Sequence, residues 1–139
     1  MSALYSTSAR TVGGRAGHVE SEDGLLRLDL ATPKELGGKG GATNPEQLFA
    51  AGYSACFESA MRFIAGKQKL PLQDAAVTAR IDLLSNGAGG FKLGAALEAE
   101  TKGLDQATAE ALVAAAHQAC PYSNALRGNV DVAISVKAA

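Results

Sequence analysis

The stretch "TNPEQLFAAGYSACFESAM", residues 43–61, predicts the helix around which the rest of the chain folds. Asn44 suits a helix N-cap, and Pro45 suits the first helical position, where its missing N–H costs nothing. Apolar residues follow at helical spacing and cover nearly every side of the helix. Such a helix belongs in the centre of a fold, and this one carries Cys56 among its apolar residues.

The segments on either side predict β-strands and a second helix. Residues 76–84 and 91–99 alternate between apolar and polar side chains around a glycine-rich turn, which predicts a hairpin with one buried face. Asp105 can cap a second helix whose apolar stripe ends at Cys120, just before Pro121. The remaining predicted elements are strands at 4–12, 18–22, 25–30 and 130–136, a turn at 13–17 and a loop at 37–41. This order predicts a single α+β domain over residues 1–139, with largely antiparallel sheets around a central apolar helix.

Composition excludes several classes of function. The chain has 139 residues, 47% of them hydrophobic, which indicates a globular protein rather than a disordered one. A net charge of −1 argues against nucleic acid as the main partner. No apolar stretch is long enough to span a membrane, and no signal-peptide pattern opens the chain, so we expect a cytoplasmic protein. Two cysteines and two histidines without metal-ligand spacing argue against a metal site.

The two cysteines have both a structural and a chemical interpretation. A free cysteine is more often a small buried hydrophobe than a nucleophile. Cys56 and Cys120, however, both fall on the apolar stripe of a predicted helix, so they can converge in one packed layer. If they meet, a reversible disulfide can form, and the residue pattern alone leaves both interpretations open.

The charged candidates also have structural explanations. Glu46 lies in the first helical turn, where the helix dipole favours a carboxylate. Arg15 fits a solvated turn. On pattern alone the structural interpretation is preferred for both residues, and His18 and His117 are expected at the surface or in local hydrogen bonds.

Three segments together resemble the Ohr branch of the Ohr/OsmC family, the organic hydroperoxide resistance proteins. They are "GGRAG" at 13–17, "LGGKGGATNPEQLFAAGYSACF" at 36–57 and "HQACPYSNALRGNV" at 117–130. The resemblance covers essentially the whole chain and implies an OsmC-like fold in an intertwined homodimer with shared active sites. It implies thiol-dependent reduction of organic hydroperoxides, regeneration by a dithiol of the lipoyl type, and no metal, haem or flavin cofactor.

The resemblance also assigns roles to residues. Cys56 in "SACF" would be the peroxidatic cysteine, which becomes a sulfenic acid, and Cys120 in "CPYS" would resolve it as a disulfide. Arg15 and Glu46 would be the polar residues that activate Cys56. Apolar neighbours of Cys56, namely Phe49, Tyr53 and Phe57, would form a substrate pocket that favours organic peroxides.

The chemistry explains why these residue types are needed. An ordinary thiol with a pKa near 8.5 is only about 3% ionised at pH 7, and burial lowers that fraction further. A guanidinium held by a carboxylate can compensate. Ten helical residues separate Glu46 from Cys56 by about 15 Å, so we expect Glu46, and with it Arg15, to come from a second subunit. Two alternatives stay open: an OsmC-branch peroxidase with broader peroxide use, and a non-enzymatic dimer that binds apolar ligands.

Overall fold

A computed structural model describes all 139 residues, which divide into two compact units, residues 1–48 and residues 49–139. The interpretation of residues 1–139 as a single domain stays a prediction. The helices and strands follow the predicted order, with α+β architecture as expected.

The first unit contains a three-stranded antiparallel sheet. Its strands are β1 (Ala9–Val12), β2 (His18–Ser21) and β3 (Arg27–Asp29), in the order β1-β2-β3. The strand predicted at 4–12 begins only at Ala9, which is the first residue with a strand partner, Ser21. All four residues of β1 are exposed, and Val12 keeps 57% of its surface accessible.

The predicted turn at 13–17 is a single-turn 3-10 helix, Gly14–Ala16. Gly13 precedes it with a φ of 86°, a left-handed conformation that favours glycine. At Gly17 a Cβ would lie 1.7 Å from the carbonyl oxygen of Val12, so only glycine fits there. This tight connection joins β1 to β2 and places Arg15 at its centre. A second 3-10 turn, Lys34–Leu36, precedes the predicted loop at 37–41.

The long helix predicted from Asn44 onward is confirmed as α1 (Pro45–Gln68). The side-chain oxygen of Asn44 accepts a hydrogen bond of 2.9 Å from the backbone N–H of Gln47, which is the predicted N-cap. The helix ends with Lys69 in the left-handed conformation, at a φ of 55°. The backbone N–H of Leu70 then donates to the carbonyl of Ala65, which satisfies one of the last carbonyls of the helix.

The second unit contains a sheet of three strands and two further helices. The predicted hairpin is confirmed as β4 (Asp74–Ser85) and β5 (Phe91–Lys102), and β6 (Val132–Ala138) is the last strand. Strand β6 pairs parallel to β5, so the sheets are largely but not wholly antiparallel. The pair is parallel because helical segments connect the two strands and carry the chain back to the starting end of the sheet. These segments are α2 (Gln106–Ala119) and α3 (Pro121–Leu126), of which only α2 was predicted.

The core of the second unit lies between α1, α2 and β5. The predicted stripe of α2 is buried throughout, and Asp105 caps this helix by accepting a hydrogen bond from the backbone N–H of Thr108. Tyr53, Phe57 and Met61 contribute the buried face of α1. Helical spacing predicts Phe63 on the same stripe as Tyr53 and Cys56, but Phe63 keeps 60% of its surface accessible. Ala51 and Ala55, on the other apolar face of α1, are also exposed on the single chain. Phe91 begins the apolar alternation at 91–99 that predicts a buried face, but it is also exposed, because it lies beside the turn at the end of the sheet.

Candidate thiol site

Two free thiols meet between helices of the second unit. The sulfur atoms of Cys56, in the middle of α1, and Cys120, between α2 and α3, lie 3.7 Å apart. The residue pattern had left open whether the two apolar stripes converge, and the structure brings them into contact. At this separation a small shift of either side chain allows a disulfide to form.

The two thiols differ in access. Cys56 is half-buried, whereas Cys120 has no accessible surface. Cys56 is held by regular helix on both sides. Cys120 has an extended backbone, with φ −67° and ψ 122°, and serves both as the C-cap of α2 and as the N-cap of α3. An external reagent can therefore contact Cys56, whereas Cys120 is shielded from it.

Burial raises the pKa of the Cys56 thiol, as the sequence analysis expected. The backbone N–H of Tyr122 favours the thiolate and opposes this shift, but burial is the larger effect. The nearby Cys120 raises the pKa of Cys56 further, through the hydrogen bond between the two thiols and, to a smaller extent, because two thiolates in contact would repel each other. The raised pKa keeps Cys56 mainly in the thiol form at neutral pH, and a positive charge nearby would favour the thiolate.

In the first unit, Arg15 and Glu46 form a bidentate ion pair. The two guanidinium nitrogens of Arg15 donate to the two carboxylate oxygens of Glu46, at 2.9 and 2.5 Å. The hydrogen bond raises the pKa of Arg15 and lowers the pKa of Glu46, so both groups stay charged at neutral pH. About a third of the Arg15 side chain and a sixth of the Glu46 side chain are accessible. The role of this pair in activating Cys56 stays a prediction.

An apolar cavity of about 340 Å³ lies beside the segment that follows Cys120. Its lining residues are Phe49, Pro121, Tyr122, Ala125 and Leu126. Of the three predicted pocket residues only Phe49 lines this cavity, while Tyr53 and Phe57 are fully buried in the core. Their role as pocket residues stays a prediction.

Sequence reasoning did not single out Tyr122, although it follows Cys120 by only two positions. Its ring stacks on Tyr53, with centroids 5.8 Å apart, and meets Phe49 edge-on at the same centroid distance. The hydroxyl of Tyr122 lies over Gly52, where a Cβ would come within 2.5 Å of it. Gly52 therefore leaves room for the Tyr122 ring to pack against α1, which explains a glycine in the middle of a long helix.

A buried hydrogen-bond network next to Cys120 was also not predicted. The hydroxyl of Ser123, a residue with no accessible surface, lies 2.7 Å from the hydroxyl of Tyr53 and 2.8 Å from Nδ1 of His117. The expectation of local hydrogen bonds for the histidines is confirmed. His117 bonds Ser123, and His18 bonds Asp29 and Glu20, at 2.9 Å in both cases.

No three histidine, cysteine, aspartate or glutamate side chains lie close enough together to hold a metal ion. None of the helices combines the length and the apolar character that a membrane span requires.

Fold and site together define an α+β dithiol protein whose paired thiols lie between two helices. The chain belongs to the family of OsmC-like proteins, whose model matches residues 38–135. The resemblance inferred from the three sequence segments is thereby confirmed.

The relatives have closely similar sequences and structures. An organic hydroperoxide resistance protein-like protein of Staphylococcus epidermidis is 50% identical over 137 residues, which cover 97% of this chain and 96% of that protein. The crystal structure of an organic hydroperoxide resistance protein from Legionella pneumophila is 63% identical, with a TM-score of 0.96, and covers 98% of this chain and 99% of that one. A related Vibrio cholerae protein, 54% identical with a TM-score of 0.94, has captopril bound in one of its active sites, and the match covers 98% of this chain and 94% of that one.

Proposed function

We propose that this chain acts in organic hydroperoxide resistance, as a thiol peroxidase that reduces organic hydroperoxides to alcohols. The observation that carries the proposal is the 3.7 Å contact between two free thiols of unequal access. Relatives that match nearly the full chain bear the name organic hydroperoxide resistance protein, which supports the substrate class.

In the first step the Cys56 thiolate attacks one oxygen of the hydroperoxide. The O–O bond breaks, the sulfur becomes a sulfenic acid, and the alkoxide leaves and takes up a proton to become the alcohol. Cys56 is the better candidate for this role because it is half-buried, whereas Cys120 has no accessible surface.

Activation of Cys56 falls to Arg15, held in position by Glu46. Full ionisation of an ordinary thiol raises the thiolate fraction only about 30-fold, which is worth about 2 kcal/mol. Lower pKa also weakens the intrinsic nucleophilicity of the thiolate. The larger contribution of Arg15 is therefore donation to the peroxide oxygens while charge moves onto the leaving alkoxide. The bidentate geometry of the Arg15–Glu46 pair suits it to hold a guanidinium in one orientation for this purpose.

In the second step the Cys120 thiol condenses with the sulfenic acid of Cys56. A sulfur–sulfur bond forms, the S–O bond breaks, and water leaves with the proton of Cys120. A dithiol of the lipoyl type then reduces the disulfide by thiol–disulfide exchange and becomes a cyclic disulfide itself. The cycle needs no metal or organic cofactor.

The apolar cavity beside Cys120 provides a place for the organic tail of the substrate. Its lining is almost wholly apolar, so burial of a hydrocarbon tail there gains about 25 cal/mol for each Å² removed from water. Hydrogen peroxide has no such tail and gains nothing from the cavity. Phe49 and Tyr122 are the residues we expect to discriminate between the two kinds of peroxide.

We further propose a homodimer in which Glu46 and Arg15 of one subunit act on Cys56 of the other. Ten residues of α1 between Glu46 and Cys56 correspond to about 15 Å along the helix axis, too far for one arginine to bridge. The side of α1 that is exposed on the single chain carries Ala51, Ala55 and Phe63 beside the Glu58–Arg62 ion pair, and it suits an antiparallel pairing with a second copy.

Titration of the purified, reduced protein with cumene hydroperoxide tests the proposal. One equivalent of peroxide should consume two thiols per chain and yield one equivalent of cumyl alcohol. Unreactive thiols in a protein that still binds cumyl alcohol would instead indicate an apolar-ligand carrier. Equal rates with hydrogen peroxide and cumene hydroperoxide would indicate an OsmC-branch enzyme of broad peroxide use.

A further inference from the structure

Regular helix geometry does not hold the buried thiol in place. At Cys120 the α2 helix ends and α3 begins, with an extended residue between them, and Pro121 prevents one continuous helix. Backbone hydrogen bonds on each side cap the two helices but leave the direction of Cys120 dependent on how α2 and α3 are oriented. Contacts between helices must therefore set the distance from Cys120 to Cys56.

Ser123 makes the contacts that meet this need. It lies in the first turn of α3, three residues after Cys120. Its hydroxyl bonds Tyr53, which precedes Cys56 by one turn of α1, and His117, which precedes Cys120 by one turn of α2. One buried oxygen thus joins the three helix segments that surround the thiol pair.

We infer that Ser123 is a positioning residue for the resolving thiol: through Tyr53 and His117 it holds Cys120 against Cys56. The inference rests on the proposed function for its role in catalysis, since a peroxidase of this kind must close its disulfide after every oxidation. Burial makes Ser123 effective, because a hydroxyl without accessible surface has no water to replace a lost partner.

A second contact at this junction lies at the surface. The guanidinium of Arg127 donates to the carbonyl of His117 at 2.6 Å and to the side chain of Asn124. Because Arg127 is exposed, water can replace these bonds, and we expect the surface contact to matter less than the buried one.

The test equilibrates the full-length protein with glutathione redox buffers and measures the ratio of disulfide to dithiol by alkylation and mass spectrometry. This ratio gives the effective concentration of the two thiols for each other, and the readout involves no peroxide. We expect Ser123→Ala to lower the effective concentration about tenfold and Tyr53→Phe, which removes one bond of the network, about threefold. The control Thr101→Val removes a buried hydroxyl that has no hydrogen-bond partner and should leave the ratio unchanged.

Kinetics supply a second readout. After rapid mixing with cumene hydroperoxide, Ser123→Ala should form the Cys56 sulfenic acid at the wild-type rate but close the disulfide about tenfold more slowly. A purely structural role for Ser123 would lower the urea midpoint of unfolding and leave both thiol readouts unchanged. That result would overturn the inference.

The outcomes separate the two claims. If wild-type thiols ignore hydroperoxide but the glutathione ratio still shifts in Ser123→Ala, the peroxidase proposal fails and the positioning inference holds. If Ser123→Ala does not fold, Tyr53→Phe decides the matter, and a ratio unchanged from wild type in that variant overturns the inference.

Discussion

The middle of α1 around Cys56 and the junction of α2 and α3 around Cys120 hold their sulfur atoms in different ways. Cys56 lies in an unbroken helix of 24 residues, so its backbone geometry follows from local sequence. Cys120 lies where one helix ends and another begins, and side chains distant in the sequence set its direction. The half-buried sulfur is the one on the regular element, and the hidden sulfur is the one at the junction. This division suits a cycle in which one thiol meets the substrate and the other acts only afterwards.

Exchange of each cysteine for serine tests the division most directly and should give the largest effect. Cys56→Ser should reduce turnover of cumene hydroperoxide by roughly 10³-fold or more, because the reacting sulfur is gone. In the Cys120→Ser variant, peroxide should oxidise Cys56 to the sulfenic acid at nearly the wild-type rate. No disulfide can then form, so excess peroxide should oxidise the sulfenic acid further to the sulfinic acid. Stopped-flow mixing followed by mass spectrometry measures both. Normal turnover in Cys56→Ser would show that the two thiols have been assigned the wrong roles.

Removal of Arg15 should have the next largest effect. It should slow the oxidation of Cys56 and leave the later reaction of Cys120 unchanged. We expect Arg15→Ala to slow sulfenic acid formation by roughly 10²- to 10³-fold, as for loss of one donor to a developing negative charge. Its effect on stability should stay within about 1 kcal/mol, because Arg15 is partly exposed. Arg80→Ala is the matched control, since Arg80 also pairs with a carboxylate, that of Asp82, at the surface. Equal oxidation rates in the two variants would remove Arg15 from the mechanism.

His117, which lies at the junction around Cys120, should make the free energy of unfolding depend on pH. Burial, with a smaller contribution from Arg127, lowers the pKa of His117 below its ordinary value of about 6.5. The folded protein then binds fewer protons than the unfolded chain, so this contribution to stability is present above pH 6.5 and is lost as pH falls through the folded pKa. Urea unfolding from pH 8 to pH 5 should show a loss in the wild type that is smaller in His117→Asn.

His18, measured in the same unfolding experiment, should change the stability with pH in the opposite direction to His117. Its hydrogen bonds to Asp29 and Glu20 raise its pKa, so its contribution is full below pH 6.5 and is lost as pH rises through the folded pKa. Above pH 6.5 the wild type should lose the stability that His18 contributes. The His18→Gln variant should show a smaller loss over the same pH range. If the His117→Asn variant lost more stability in acid than the wild type, the lowered pKa of His117 would be contradicted.

The smallest effect should come from Gly52→Ala, which alters the surface of α1 against which Tyr122 packs and changes neither cysteine. Alanine favours the helix by up to about 1 kcal/mol relative to glycine, but its Cβ would displace the Tyr122 hydroxyl. Because Tyr122 is partly exposed, its ring can swing outward, so we expect little net change in the free energy of unfolding. The KM for cumene hydroperoxide should change several-fold, while the rate with hydrogen peroxide stays constant. Identical KM values for cumene hydroperoxide would remove Tyr122 from the substrate site.

Much of the fold could be predicted from local patterns. The start of α1, the hairpin of β4 and β5, the cap at Asp105 and the break at Pro121 each depend on residues within a few positions of one another. Local propensity and side-chain periodicity are enough to specify such features. The assignment of both cysteines to apolar helical faces follows from the same periodicity, and family resemblance supplied their candidate roles.

Other features depended on contacts between residues far apart in the sequence. Nothing near Ser123 indicates that its hydroxyl would bond Tyr53, 70 positions earlier, and the meeting of the two sulfur atoms bridges 64 positions. The parallel pairing of β5 with β6 and the packing of Tyr122 on Gly52 likewise arise from how packed elements face each other. The sequence by itself determined α1, α2 and most of the strands, because those follow from short-range sterics and hydrogen bonding. Only the tertiary structure decided which thiol is hidden and what holds it there, because burial and distance are set by packing across the whole unit.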